Sequence, residues 1–222
     1  MDFQMSEKMK IKGVQFGNYH SWNDLLLILG SKKIETPKAK TNYINIPGAD
    51  GELDLTEYFG DINYENRKIT FNFTSIIPHK DFLEQYSLIQ NLLDGKKVKI
   101  ILDDDPDFYY YGRLSMSDWE ASGAIAEFSI ECDCDPFKYR MYRTAVQHSI
   151  NGTKKIVLQN LRKRVNPTVT VSAPMTIEFN DQVFTVNTGT FVFPELFLSA
   201  GKNILTITGN GNITFEYQEG GL

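Results

Sequence analysis

Apolar and polar residues alternate from Arg67 to Phe73, placing Ile69, Phe71 and Phe73 on one side and Lys68, Thr70 and Asn72 on the other. A period of two predicts a strand with one buried face. Shorter apolar runs predict strands at residues 11–16, Leu25–Ile34 and Tyr43–Ile46. The last of these leads into Pro47-Gly48-Ala49-Asp50-Gly51, where a proline that cannot donate to a ladder precedes residues suited to turns.

The period changes at His79. From there to Asp94, the residues Phe82, Tyr86, Ile89 and Leu93 fall at i, i+4, i+7 and i+11, the stripe of a helix packed on a sheet. Pro78 precedes this stretch, Gly95 follows it as a left-handed cap, and Lys96 and Lys97 stand where the helix dipole favours cations. Next, Val98–Leu102 and Phe108–Leu114 predict a hairpin whose solvated tip is Asp103-Asp104-Asp105-Pro106-Asp107. Ala124–Cys134 predicts the last strand of this half, with Ile125, Phe128, Ile130 and Cys132 as its apolar members.

From Val146 onwards the pattern is almost wholly β. Strands are expected at Val146–Ile150, Lys155–Leu158, Thr168–Val171, Met175–Phe179, Gln182–Val186, Thr190–Phe193, Asn203–Thr208 and Asn212–Tyr217. Turn signals separate them at Asn151-Gly152, Asn180-Asp181, Asn187-Thr188-Gly189, Ala200-Gly201 and Gly209-Asn210-Gly211. Short strands at this spacing predict a small β-sandwich. The whole reads as mainly β with one helix. An N-terminal β-sandwich or α+β domain occupies 1–135, an ordered connector 136–145, and a C-terminal β-sandwich 146–222.

Charge sharpens this division. Residues 1–140 hold 16 Lys and Arg against 23 Asp and Glu, a net of −7, whereas residues 141–222 hold 7 against 5, a net of +2. The total of −5 makes the chain a poor candidate for a dedicated duplex-DNA binder, which needs clustered cations to neutralise phosphates. The N-terminal stretch is polar and lacks the apolar core of a signal peptide, and no apolar run approaches the length of a membrane span. The expectation is cytoplasmic synthesis and no membrane partner.

Little in the chain predicts chemistry. Cys132 and Cys134 lie two apart on a predicted strand, pointing the same way, and read as reduced, half-buried thiols rather than a bridge or metal site. The carboxylates at 103–107 do not follow the ligand spacing of a calcium loop, and Pro106 interrupts them. His20, His79 and His148 are the available bases, and none sits in a hydrolase or zinc motif. No catalytic residue, metal or cofactor is expected. The aromatic run Tyr109-Tyr110-Tyr111 is conspicuous. On a strand its outer two residues share a face and oppose the middle one, which fits either a half-exposed surface or a subunit interface.

Several segments, in order, resemble the distal tail proteins of long-tailed bacteriophages. In the first half these are Gly13-Val14-Gln15-Phe16-Gly17, Ile46-Pro47-Gly48-x-x-Gly51, Tyr64-x-x-Arg67-x-Ile69-x-Phe71, Leu93-Asp94-Gly95-Lys96, Asp103 to Tyr110, and Cys134-Asp135-Pro136-Phe137. In the second half, Ala200-Gly201-Lys202-Asn203-x-Leu205-Thr206-Ile207-Thr208-Gly209 and Ile213-Thr214-Phe215-Glu216-Tyr217 resemble the end of the galectin-like β-sandwich of that family.

The resemblance implies a homohexameric ring of N-terminal domains with galectin-like C-terminal domains projecting outward. Such a ring joins the tail-tube protein to the tail-associated protein at the virion tail tip, and in many phages anchors receptor-binding proteins. It is assembled in the bacterial host cytoplasm, and DNA passes through its channel without specific binding. The net negative charge of residues 1–140 fits such a channel. Candidate subunit-interface residues are Tyr109, Tyr110, Tyr111 and Arg67. Many relatives carry inserted glycan-binding modules, for which this length leaves no room. The alternative reading is a carbohydrate-binding, lectin-like module for host recognition. It would use aromatics of the second half, among them Phe179, Phe184, Phe191, Phe193, Phe197 and Tyr217, although alternation places most of them in the core.

Overall fold

The computed structural model describes residues 11–222 apart from Phe59, residues 76–78 and residues 123–124. Pro78 and Ala124, expected to open the helix and a strand, and the polar stretch 1–10 therefore lie outside the described residues. The chain is mainly β and divides into two compact units, Met1–Pro136 and Phe137–Leu222.

The first unit contains β1 (Val14–Phe16), β2 (Tyr19–His20), β3 (Leu27–Ile34), β4 (Tyr43–Asn45), β5 (Glu52–Asp54), β6 (Arg67–Ser75), α1 (His79–Leu93), β7 (Lys97–Leu102), β8 (Asp105–Met116), β9 (Glu120–Ser122) and β10 (Ile125–Cys134). Its main sheet is antiparallel in the order β2-β1-β7-β8-β10-β6-β3. At its centre Ile69, Phe71 and Phe73 of β6 face Cys132, Ile130 and Phe128 of β10. All six are buried, as the alternation requires. On β10 the buried face starts at Ala126, and Ile125, expected in the core, is exposed because it lies one residue out of phase.

The stripe of α1 covers this face. Phe82, Ile89 and Leu93 are buried, and Tyr86 packs beside them. Trp119 stands edge-on to Phe82 at 5.0 Å, and Tyr86 meets Phe128 edge-on at 5.5 Å. Gly95 ends the helix at φ 71°, as expected of the cap. The sheet also curls. Phe16 of β1 meets Phe71 of β6 at 5.5 Å, although three strands separate them in sheet order.

The second unit contains β11 (Lys138–Arg140), β12 (Thr144–Asn160), β13 (Thr168–Val171), β14 (Met175–Phe179), β15 (Gln182–Val186), β16 (Gly189–Val192), β17 (Gly201–Tyr217) and β18 (Gly220–Gly221). Here the sequence expectation is corrected. The four strands expected around Asn151-Gly152 and Gly209-Asn210-Gly211 are two, each 17 residues long, paired in unbroken register from Thr144↔Tyr217 to Asn160↔Gly201. The reason is register. Gly152 stands opposite Gly209 and Ile150 opposite Gly211, so the two turn signals face each other and mark a bend in a ribbon rather than strand ends.

Beyond the bend β17 changes neighbours. Its first half pairs with β14 and its second half with β13. Both halves bury one side into a single core that includes Ile156, Leu205, Ile207, Ile213 and Phe215. The ribbon thus serves two layers, as strands do when they switch sheets at a bend. Glycine is required there, since a Cβ on Gly209 would lie 2.8 Å from the Met175 side chain and 3.1 Å from the Pro174 carbonyl. The turn between β14 and β15 is as expected, with Asn180 and Asp181 both at positive φ.

Candidate functional site

β7 and β8 present a surface whose residues the strand period sorts cleanly. Tyr110 points inward and is buried, while Tyr109 and Tyr111 point outward. Register places Lys99 across from Tyr111 and Lys97 across from Arg113. The Lys97 ammonium lies 4.7 Å from the Tyr111 ring centre and that of Lys99 lies 4.4 Å from the Tyr109 ring centre. Each is a cation–π contact worth about 0.5–1 kcal/mol at an exposed site. The outer face therefore carries three cations, Lys97, Lys99 and Arg113, interleaved with two tyrosines. Arg113 also donates to the Gly95 carbonyl at 2.5 Å, and Lys97 pairs with Asp135 at 3.3 Å.

Arg67 belongs to the opposite side. It is buried, its guanidinium lies 5.4 Å from the Tyr110 ring centre, and its Nε and Nη2 donate to the Pro136 carbonyl at 2.8 and 2.5 Å. Burial pulls its pKa below the ordinary arginine value. The structure brings Arg67 and Tyr110 together inside the unit and separates them from Tyr109 and Tyr111 outside it.

The turn around Pro47 forms the end of a second feature. After β3 the chain leaves the main sheet as a ribbon. Ala39 bridges Tyr64, Leu55 donates to Asn42, and β4 pairs with β5 in the register Tyr43↔Asp54, Ile44↔Leu53, Asn45↔Glu52. Every residue of β4 and β5 is exposed. Opposed residues share a face, so Ile44, Ile46 and Leu53 form one apolar row, 44%, 45% and 48% exposed. Thr56 donates its backbone N–H to Asp54 at 2.9 Å, and the Thr56 hydrogen bonds hold the Asp54 carboxyl below the usual carboxylate range. Residues 41–66 hold six carboxylates and no Lys or Arg. The sequence showed the turn but not the exposure, because a short apolar run looks the same whether or not anything covers it.

The acidic cluster lies at the hairpin tip as expected, with Asp104 and Asp107 exposed, but it is narrower and more tied down than a solvated loop. The turn is only Asp103-Asp104, since Leu102 already pairs with Asp105 and Pro106 lies within β8. Asp103 accepts from the Gly13 N–H at 2.9 Å, and His20 Nε2 lies 3.2 Å from both of its oxygens. Asp104 pairs with Lys32 of β3, whose hydrogen bond lowers the carboxyl pKa. These carboxylates hold the first strands in place. Cys132 and Cys134 are free and fully buried, deeper than the half-burial expected, because their side of β10 is the core side. Burial pushes both thiols up, Cys134 to about 12. Among the described residues no group of three or more His, Cys, Asp and Glu is placed to hold a metal ion, and no helix is long and apolar enough to cross a membrane. The side chain of His79 lies outside the described residues.

In the second unit Phe179 and Tyr217 are buried, and Phe184, Phe191 and Phe193 pack against the core. Phe197 is half-buried, with the Arg164 guanidinium over its ring.

No protein-family model matches the chain, and no curated protein sequence matches it. Among solved structures its fold is similar to that of the SPP1 Dit (gp 19.1) protein, described as a paradigm of the hub adsorption apparatus in phages infecting Gram-positive bacteria. The TM-score is 0.68 at 16% identity, over 94% of this chain and 99% of that chain. At that identity the likeness is one of fold.

Proposed function

We propose that this chain is a distal tail protein, a structural hub at the tip of a phage tail or a related tail-like particle. The observation that carries the reading is the fold likeness to SPP1 Dit, which takes in nearly the whole of both chains. The ordered sequence segments quoted above support it independently of the fold. In this role the first unit forms a homohexameric ring around a channel. The second, galectin-like unit stands outward. The ring joins the tail-tube protein to the tail-associated protein and offers its periphery to receptor-binding proteins. The hub performs no reaction, and DNA passes through without specific binding.

The lectin-like alternative draws less support. Of the aromatics it needs on an open face, Phe179 and Tyr217 are core residues and Phe184, Phe191 and Phe193 pack against the core, and the Tyr217 hydroxyl donates to the Gln159 carbonyl.

The test is the solution mass of the purified chain by light scattering, with negative-stain images of the same peak. Six-subunit rings with an open centre are expected. A monomer at every concentration, together with saturable glycan binding, overturns the hub reading in favour of the lectin.

A further inference from the structure

We infer that residues 218–221 form a polar latch on the start of the second unit, and that this latch opens while the β12–β17 ribbon stays folded, freeing residues 137–143 as a tether. The latch lies within one chain and does not depend on a ring.

The segment after β17 turns back between two other parts of its own unit. On one side β18 pairs with β11, Lys138↔Gly221 and Tyr139↔Gly220. On the other the Lys163 N–H donates to the Gly220 carbonyl at 2.8 Å. Gly220 is buried there, and a Cβ on it would lie 3.0 Å from the Lys163 Cβ and 3.3 Å from that of Phe137. The Arg140 N–H donates to the Glu219 carbonyl at 3.1 Å, and Gln218 Nε2 donates to the Arg140 carbonyl at 2.7 Å. The Glu219 carboxylate is buried. It pairs with Arg140 Nε at 3.1 Å and accepts from the Thr144 hydroxyl at 2.5 Å.

This hold is built from hydrogen bonds and an ion pair, and it stands apart from the core. None of residues 137–143 or 218–222 belongs to the apolar cluster that includes Ile156, Leu205, Ile207 and Phe215. The β11–β18 ladder has two residue pairs, against 17 residues in register between β12 and β17. Local opening is easiest where few apolar contacts are lost. Hydrogen bonds broken on opening are replaced by bonds to water, so their net cost is small. Glu219 and Arg140 regain hydration together when the segment lifts, which avoids the penalty of a lone buried charge. The near end of the tether is fixed, because Arg67 holds the Pro136 carbonyl. Residues 137–143, fully extended, reach at most about 25 Å, and that is the travel which opening gives the ribbon and its core.

The test is hydrogen–deuterium exchange of the full-length chain, read by mass spectrometry of peptides. Peptides from 138–143 and 218–222 are expected to exchange in step, at least tenfold faster than those from 150–158 and 203–215. Glu219→Gln removes the ion pair, and Gly220→Ala pushes Lys163 and Phe137 aside. Each is expected to speed the first set at least another tenfold and to leave the second set unchanged. Trypsin should cut both variants after Lys138 or Arg140 at least tenfold faster than the wild type, leaving the rest of the second unit intact. Latch peptides that exchange no faster than the ribbon in the wild type, or variants that speed ribbon and latch equally, mean that the segment opens only with the whole unit and overturn the latch. A wild type in which 138–143 exchange at the rate of an unstructured chain overturns it as well.

Discussion

In the first unit the buried side of the sheet is covered by α1, whose Phe82, Ile89 and Leu93 close over β6 and β10. The second unit, as described, has no helix, and its ribbon of β12 and β17 bends so that one sheet supplies both layers over a shared core. The first solution depends on an amphipathic stripe, which any large apolar residues at helical spacing provide. The second depends on a backbone position, since no side chain can replace the space left by Gly209. The two units should therefore fail in different ways.

The probes for separating them are built in. Both tryptophans, Trp22 and Trp119, and both cysteines, Cys132 and Cys134, belong to the first unit. Tryptophan fluorescence and thiol labelling thus follow that unit alone, whereas far-ultraviolet circular dichroism follows both. The largest expected effect is that of Phe82→Ala, which empties the centre of the aromatic cluster and costs about 3–5 kcal/mol. Fluorescence should register the loss in full, and a matching shift in a second-unit transition would show that the cores are not independent. Arg67→Ala removes a buried guanidinium fork from the Pro136 carbonyl. It should cost about 1.5–3 kcal/mol, the range for hydrogen bonds to charged groups, again read by fluorescence. Gly209→Ala forces Met175 and the Pro174 carbonyl aside and should cost about 1–3 kcal/mol. That loss should appear in circular dichroism with the fluorescence transition unmoved.

The remaining effect is alkaline and grows gradually with pH. The Cys134 thiol goes from an ordinary 9.0 to about 12 in the folded unit, and the Tyr217 phenol of the second unit from 10.0 to about 12. Both shifts are upward, so the folded chain binds more protons than the unfolded chain between the two values. Stability is complete below the lower value and falls as pH rises towards the higher. The first unit should begin to weaken near pH 9 and the second near pH 10, measured by denaturant titration with the two probes. At pH 8 an alkylating reagent should label neither thiol in the folded chain and both after denaturation.

What was legible in the sequence follows from range. The alternation of β6 and the stripe of α1 are local, and both are found in the structure over nearly the same residues. That Tyr109 and Tyr111 share a face and oppose Tyr110 was also legible as parity, whereas which face turns outward was not. The ties of the acidic turn were not, because Lys32, His20 and Gly13 lie 72, 83 and 90 residues from their Asp partners. The bend of the ribbon was misread for a related reason. Asn-Gly and Gly-Asn-Gly are turn signals when read alone, and only their alignment across the ladder turns them into a bend. The exposure of Ile44 and Leu53 depends on what the rest of the chain leaves uncovered, which no window of sequence contains.

The long ribbon also sets an order of events. β17 touches β12, β13 and β14, so it organises its sheet, yet it follows every one of them in the chain. Its pairing with β12 begins at a separation of 41 residues, Asn160↔Gly201, and ends at 73, Thr144↔Tyr217. Before β17 is made, only the β14–β15 hairpin and the β13–β16 pair, which encloses it, have their partners available. Contacts of such long range are slow to form, because the intervening chain must be closed before they stabilise anything. During synthesis, the first unit can be complete while the second still waits for the strand around which it is built.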